Sequence, residues 1–334
     1  MSLKKEANMY FYKRDIQNHR AHDIVYHYCS LEAFIKIIKK KQLRMTDIVK
    51  SNDSMEIKYC QSKLAEVIYS VAKHLKKNHA INKYIYNFFE NFDSDEFAKE
   101  IFEKTQLSWY VTCFSKQGDL LSQWRGYADD GHGMAIGFNS EIFICNSKSI
   151  VYSEVSYNTD DLIEYLEKSI MTKLQDINVF ANDESKNYNC CENLLMWLSD
   201  YFLSNAVFYK HPAFEEEEET RLVFYPFANQ RALLLHHPAS NNVINNPYFD
   251  GMVEKIHKHK IDHFERSKIK YYSKRNCLVP YFNLNFSSVV TNSITEIILG
   301  PKNTSNFRDI QMFMLSNGYD ISKINFLKSS APYV

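Results

Sequence analysis

Apolar and polar positions change their period several times along the chain. Ile24–Cys29 (IVYHYC) is a short β-branched and aromatic run and predicts a strand. After Ser30, a good N-cap residue, Leu31, Phe34, Ile35, Ile37 and Ile38 fall on helical spacing and predict a helix through Lys40. Residues 42–46 predict a second strand, and the polar turn at 50–54 opens a helical stretch over about 55–103. A strand over 107–115, a short helix over 120–128, and strands over 134–138 and 149–157 follow. Residues 160–209 read as helical again, with a polar break at 182–189. From Thr220 the texture turns to strands, at 221–225, 268–272, 278–285 and 294–299, closing with a helix at 310–315 and a strand at 324–327.

Strands that come singly, with helical stretches between them, do not make a βαβ rhythm. They predict an α+β fold with a mixed or antiparallel β core. One domain is expected over residues 1–334, its core built from about 24–46, 107–157 and 219–334. The helical stretches at about 55–105 and 159–209 are then insertions forming a cap.

Composition narrows the choice. Lys+Arg and Asp+Glu number 40 each, and this zero net charge argues against a global grip on a polyanion. No run of about 18 apolar residues exists to span a membrane. The first twenty residues lack the apolar core of a signal peptide, and seven cysteines without a CxxC pair suggest no disulfide framework. A cytoplasmic protein with no membrane partner is the expectation. Tyr and Phe, 23 of each, predict an aromatic core and aromatic pocket walls. Only eight glycines occur, and five of them (Gly118, Gly126, Gly131, Gly133, Gly137) fall within twenty residues, where backbone geometry is expected to need them. They match neither GxGxxG nor GxxxxGK[ST], which excludes a Rossmann or P-loop reading.

Five constellations could carry chemistry. Tyr26-His27-Tyr28 with Ser30 offers an imidazole for a ribose hydroxyl and rings for a planar group, against the plainer reading of a buried strand histidine. Asn52-Asp53 with Glu56 has capping-box spacing, or could join a carboxylate cluster for a divalent cation. Thr112-Cys113-Phe114-Ser115, with Trp124, Tyr127 and the glycine turn Gly131 to Gly133, could wall a pocket for a flat ligand, or Trp124 and Tyr127 could simply pack on the sheet. The run from Glu215 to Glu219 feeds a strand on which Glu217, Glu219 and Arg221 share one face by two-residue alternation. Charges there, beside an apolar core, must be paired or used, which makes Glu217 and Glu219 the most suggestive acid pair. His257, His259 and His263, read on a helix, are ringed by lysines and have no HExxH pattern; no metal is assigned to them.

In order and content these segments resemble a bacterial family, the domain-of-unknown-function family 2971. The likeness lies in YHYCS, SNDSMEI, TCFS, QWRGYADDGHGMAIGF, FEEEEETRLVF, LVPYFNLNF, ITEIILGPKNT and FLKSSAPYV. Ser54 departs from the family's usual proline after Asn-Asp. A weaker likeness is to the ADP-ribosyltransferase superfamily and its split sheet: a first strand with Tyr-His, a second ending in Ser, a later Glu-x-Glu strand. That resemblance implies NAD as substrate. It places His27 on the NAD ribose, Ser115 and Tyr127 at the nicotinamide, and Glu219 at the reacting ribose with Glu217 as its partner. Tyr28, Ser30, Trp124 and Arg221 complete the implied nucleotide-binding set.

Three functions follow. The first is an NAD-consuming transferase or glycohydrolase, of the kind found in toxins or phage-defence effectors, with a protein or nucleic-acid acceptor. The second is a nucleotide-sensing or protein-binding module without turnover. The third is a metal-dependent phosphodiesterase or nuclease using Asp53, Glu56, Glu217 and Glu219.

Overall fold

The computed structural model describes residues 24–50, 109–144, 150–160, 206–224, 268–274 and 276–333, with 260–261, 264–266 and scattered positions in 59–73, 93–96 and 163–168. Twelve strands form one sheet: β1 Ile24–Cys29, β2 Gln42–Asp47, β3 Tyr110–Ser115, β4 Met134–Asn139, β5 Ile150–Glu154, β6 Glu219–Phe224, β7 Lys260–Ile261, β8 Phe264–Arg266, β9 Lys270–Lys274, β10 Cys277–Asn285, β11 Ile294–Leu299 and β12 Asn325–Lys328. Among the described residues, α1 Leu31–Lys40, α2 Leu121–Tyr127 and α3 Phe307–Ser316 pack with it. The order β12-β11-β4-β1-β3-β2-β10-β8-β7 is a mixed, largely antiparallel open sheet, and among the described strand pairs only β11–β12 is parallel. The fold is α+β. Most of both expected insertions, and with them Asp53 and Glu56, lies outside the described residues.

Local chemistry explains the first unit. Ser30 caps α1 by accepting from Ala33 N at 3.2 Å, and Lys41 ends it in the left-handed region with φ 52°. The apolar stripe Phe34, Ile37 and Ile38 is buried in the main core beside Phe114, Phe138, Phe282 and Phe286. These rings meet edge-on or tilted, as at Tyr110–Phe282 with centroids 4.6 Å apart. A smaller core holds Tyr28, Trp124, Ala128, Ala135 and Ile298.

One reading is corrected here. Residues around His257 to His263, read as helical, include a β7–β8 hairpin in which Ile261 pairs with Phe264 and Lys260 with Glu265. Tertiary pairing outweighs the helical spacing, because β8 finds the open edge of β10 through Leu284↔Arg266 and Asn285↔Glu265. His257, His259 and His263 themselves lie outside the described residues.

The loop after α2 is held from two sides. Asp119 accepts from Trp124 Nε1 at 2.7 Å and from Ser330 N at 2.7 Å, so the segment after β12 is tied to α2. Tyr333 donates to Asp130 at 2.5 Å, and its ring lies under Lys302. Among the described residues no helix is long and apolar enough to cross a membrane.

The clustered glycines differ in need. A Cβ on Gly133 would lie 2.2 Å from the Cys29 carbonyl oxygen, an overlap backbone cannot relieve by a rotamer change, whereas one on Gly126 would meet nothing within 4 Å. Gly133→Ala is therefore expected to cost about 3 kcal/mol or more, a fall of roughly 6 °C or more in Tm. Gly126→Ala, inside α2, is expected to hold or slightly raise Tm, since alanine is favoured over glycine in a helix by about 0.5–1 kcal/mol. Thermal melts of the two variants check this, and equal shifts would refute it.

Candidate functional site

One edge of β3 is shared by two strands lying end to end. β1 reaches it only at Tyr26↔Ser115, and β2 only at Thr46↔Val111 and Asp47↔Tyr110. Between these contacts Thr112, Cys113 and Phe114 have no strand partner on that edge among the described residues. Side chains fill the gap instead. Thr112 Oγ1 donates to the Arg44 carbonyl at 2.9 Å, and His27 Nδ1 lies 3.1 Å from the Cys113 carbonyl. A carbonyl only accepts, so His27 carries its hydrogen on Nδ1 and leaves Nε2 as an acceptor. Burial lowers the imidazole pKa more than this backbone bond raises it, which keeps the ring neutral at pH 7.

A cleft of about 180 Å³ opens at the split. Tyr26, His27 and Tyr28 of β1 and Arg44 and Thr46 of β2 wall it, and β3 contributes residues from Val111 to Phe114. Gln123 and Tyr127 come from α2, and Glu217 and Glu219 close the far side. Sites for whole drug-sized ligands run to about 300–1,000 Å³, so this cleft suits one ring-sized group with the rest of a ligand lying outside.

The far side is a buried four-charge network. Pro212–Glu217 forms a 3-10 turn, Glu218 steps through the left-handed region, and the strand starts at Glu219. The glutamate run is thereby sorted: Glu215, Glu216 and Glu218 are exposed, while Glu217 and Glu219 are buried. Lys210 Nζ sits between them, 2.6 Å from Glu217 Oε2 and 3.1 Å from Glu219 Oε2. Arg221 grips Glu219 with two donors, Nε to Oε1 at 2.7 Å and Nη2 to Oε2 at 3.0 Å, and gives Nη1 to the Val207 carbonyl at 2.6 Å. Burial works to raise the Glu219 pKa, but Arg221 and then Lys210 outweigh it and hold the carboxyl at about 2. Both carboxylates line the cleft and neither cation does, so the negative ends of the network face the ligand space.

The expected site residues therefore divide. His27, Tyr28, Tyr127, Glu217 and Glu219 meet at the cleft. Tyr127 is half-buried, and its phenol pKa is raised by that burial and then by the charge on Glu217. Ser30, Ser115, Trp124 and Arg221 do not line it. Ser30 is the cap of α1, and Ser115 Oγ accepts from Gln117 N at 3.0 Å. Trp124 is fully buried, edge-on to Tyr28 with centroids 4.7 Å apart. Arg221 serves the carboxylate rather than the cleft. Thr112, Cys113 and Phe114 of the expected pocket wall do line the cleft. Sequence reasoning missed Lys210, Arg44 and Gln123. Of these only Arg44 had a readable signal, since alternation along β2 sets Arg44 and Thr46 opposite buried Leu43 and Met45.

Residues 123–222 match the model of the family described as Protein of unknown function (DUF2971), the family whose motifs the sequence resembles. The matched segment carries α2 from Gln123 onward, Lys210 and both glutamates of the cleft, while His27 and Arg44 precede it. No curated protein and no solved structure matches the chain.

The network also sets an acid limit. A carboxyl held at about 2 when folded, against 4.5 when free, contributes stability that is fully present above pH 4.5 and is lost as pH falls through the folded value. Denaturant melts between pH 5 and pH 2 (about the window set by that shift) should show unfolding free energy falling, with a shallower fall in Glu219→Gln. Parallel slopes in the two proteins would assign the acid loss to other groups.

Proposed function

We propose that the protein binds a nucleotide bearing a cationic planar ring, NAD being the reading favoured, and breaks its glycosidic bond as an ADP-ribosyltransferase-like transferase or glycohydrolase. The observation that carries this is the polarity of the cleft. Two carboxylates face the ligand space with their cations behind them, next to tyrosine rings and a neutral imidazole acceptor. A nicotinamide ring is flat, positively charged and of a size the cleft admits.

In this reading the ring enters beside Tyr28 and Tyr127, and His27 Nε2 accepts from a ribose hydroxyl. As the C1′–N bond breaks, its electron pair leaves with nicotinamide, which becomes neutral, and positive charge develops on the ribose. Glu219, ionised and held by Arg221, stabilises that charge without having to reorient. Glu217 orients the incoming nucleophile, a water or an acceptor hydroxyl, and takes its proton. The metal-dependent reading is less favoured because Lys210 and Arg221 already stand against these carboxylates where a divalent cation would have to sit.

Nicotinamide release from NAD, followed by chromatography with EDTA present, tests the proposal. Glu219→Gln and Glu217→Gln each remove a partner of the buried network, at a stability cost of about 3–5 kcal/mol, so Tyr127→Ala, outside that network, is assayed beside them and each variant is checked by melting. Wild type is expected to release nicotinamide, and Glu217→Gln to lose at least about 100-fold in rate at a temperature where its melting curve, shifted down, still shows a folded protein. Saturable NAD binding with no release would put a binding module in place of the enzyme. Release unaffected by either Glu217→Gln or Glu219→Gln would overturn the assignment of the site.

A further inference from the structure

The wall opposite the glutamates carries a cation of unusual setting. Arg44 is exposed on β2 and lines the cleft, and among the described residues its guanidinium makes no hydrogen bond or ion pair. It is held by stacking instead. Its guanidinium carbon lies 5.0 Å from the Tyr272 ring centroid and 4.6 Å from that of Tyr281, the two rings belonging to β9 and β10. The rings meet edge to face with centroids 5.7 Å apart, which fixes the pair as a unit. Register explains the placement: Pro280 pairs with Tyr271 and Val279 with Tyr272 in the β9–β10 hairpin, and Tyr281 pairs with Thr46 on β2.

Stacking restrains an arginine without consuming its donors. A guanidinium packed against two rings keeps its N–H fork for a partner and has lost much of its rotamer freedom before any ligand arrives. Such a fork matches the paired oxygens of a phosphate. The cleft is therefore bipolar, with carboxylates at the β6 side and an uncommitted guanidinium at the β2 side. Arg44 and Glu219 stand two strands and two residues apart, a Cα separation on the order of 12 Å from standard strand spacing. Arg44 is exposed, so a ring seated in the cleft against the glutamates would extend its ribosyl phosphate outward past Arg44.

We infer that Arg44, packed against Tyr272 and Tyr281, is the phosphate-binding subsite of the cleft, so that the ligand is a zwitterion with its cationic ring at Glu217 and Glu219 and its nearest phosphate at Arg44. This rests on the nucleotide reading for the ring end, but the anion site stands on Arg44 and its two tyrosines alone.

The experiment measures binding to the full chain by isothermal titration with three probes: pyrophosphate, nicotinamide riboside and nicotinamide mononucleotide. Wild type, Arg44→Ala and Arg44→Lys are compared, with melting curves as the check on folding. Pyrophosphate is expected to bind wild type and to weaken at least about tenfold in Arg44→Ala, with Arg44→Lys between them. The mononucleotide should bind wild type about tenfold or more tightly than the riboside, and Arg44→Ala should abolish that preference. Pyrophosphate binding that is absent from wild type, or equal in wild type and Arg44→Ala, would overturn the subsite. Pyrophosphate binding that depends on Arg44, with neither nicotinamide probe bound, would keep the anion site and refute the nicotinamide reading of the cleft.

Discussion

The edge of β3 from Tyr110 to Ser115 offers one row of backbone hydrogen bonds, and both β1 and β2 are drawn to it. Because α1 joins those two strands and buries its stripe in the same core, they are carried to the edge together and can hold only its two ends. The middle is left to side chains, and a buried backbone group must find some partner. His27 and Thr112 supply it. The cleft, the tautomer of His27 and the position of Arg44 all follow from that divided edge.

The other wall comes from a different constraint. Two carboxylates inside a β body are costly unless each is met by a cation, and Lys210 and Arg221 meet them from behind. The network is neutral as a whole, yet it is not neutral toward the cleft, because only the acids reach it. Burial thus converts an ordinary ion-pair set into a directed dipole. Arg44, outside that set, gives the cleft its opposite pole.

Much of this arrangement could be read along the chain. Alternation from Glu217 to Arg221 separated inward from outward glutamates correctly even though the strand begins two residues later, because the 3-10 turn and the left-handed Glu218 preserve the inward placement. Ser30 before an apolar stripe announced a capped helix, and that capping is the role it fills. What stayed hidden depends on distant partners. Arg44 owes its setting to Tyr272 and Tyr281, more than two hundred residues away, and no local period links them. Lys210 is one lysine among many in sequence and becomes special only when the turn at 212–217 folds back. The helical reading near His263 failed for the same reason, since the open edge of β10 decides that segment.

Asp119 adds a consequence in time. Every residue lining the cleft lies before residue 224, so a growing chain possesses the whole set of reactive groups long before synthesis reaches β9. Yet α2, which brings Gln123 and Tyr127 inward, is fastened through Asp119 to Ser329 and Ser330, and Arg44 awaits its tyrosines. On the ribosome the site is complete in composition while still unassembled. The segment from β9 onward thereby acts as the timer that decides when the cleft first takes shape.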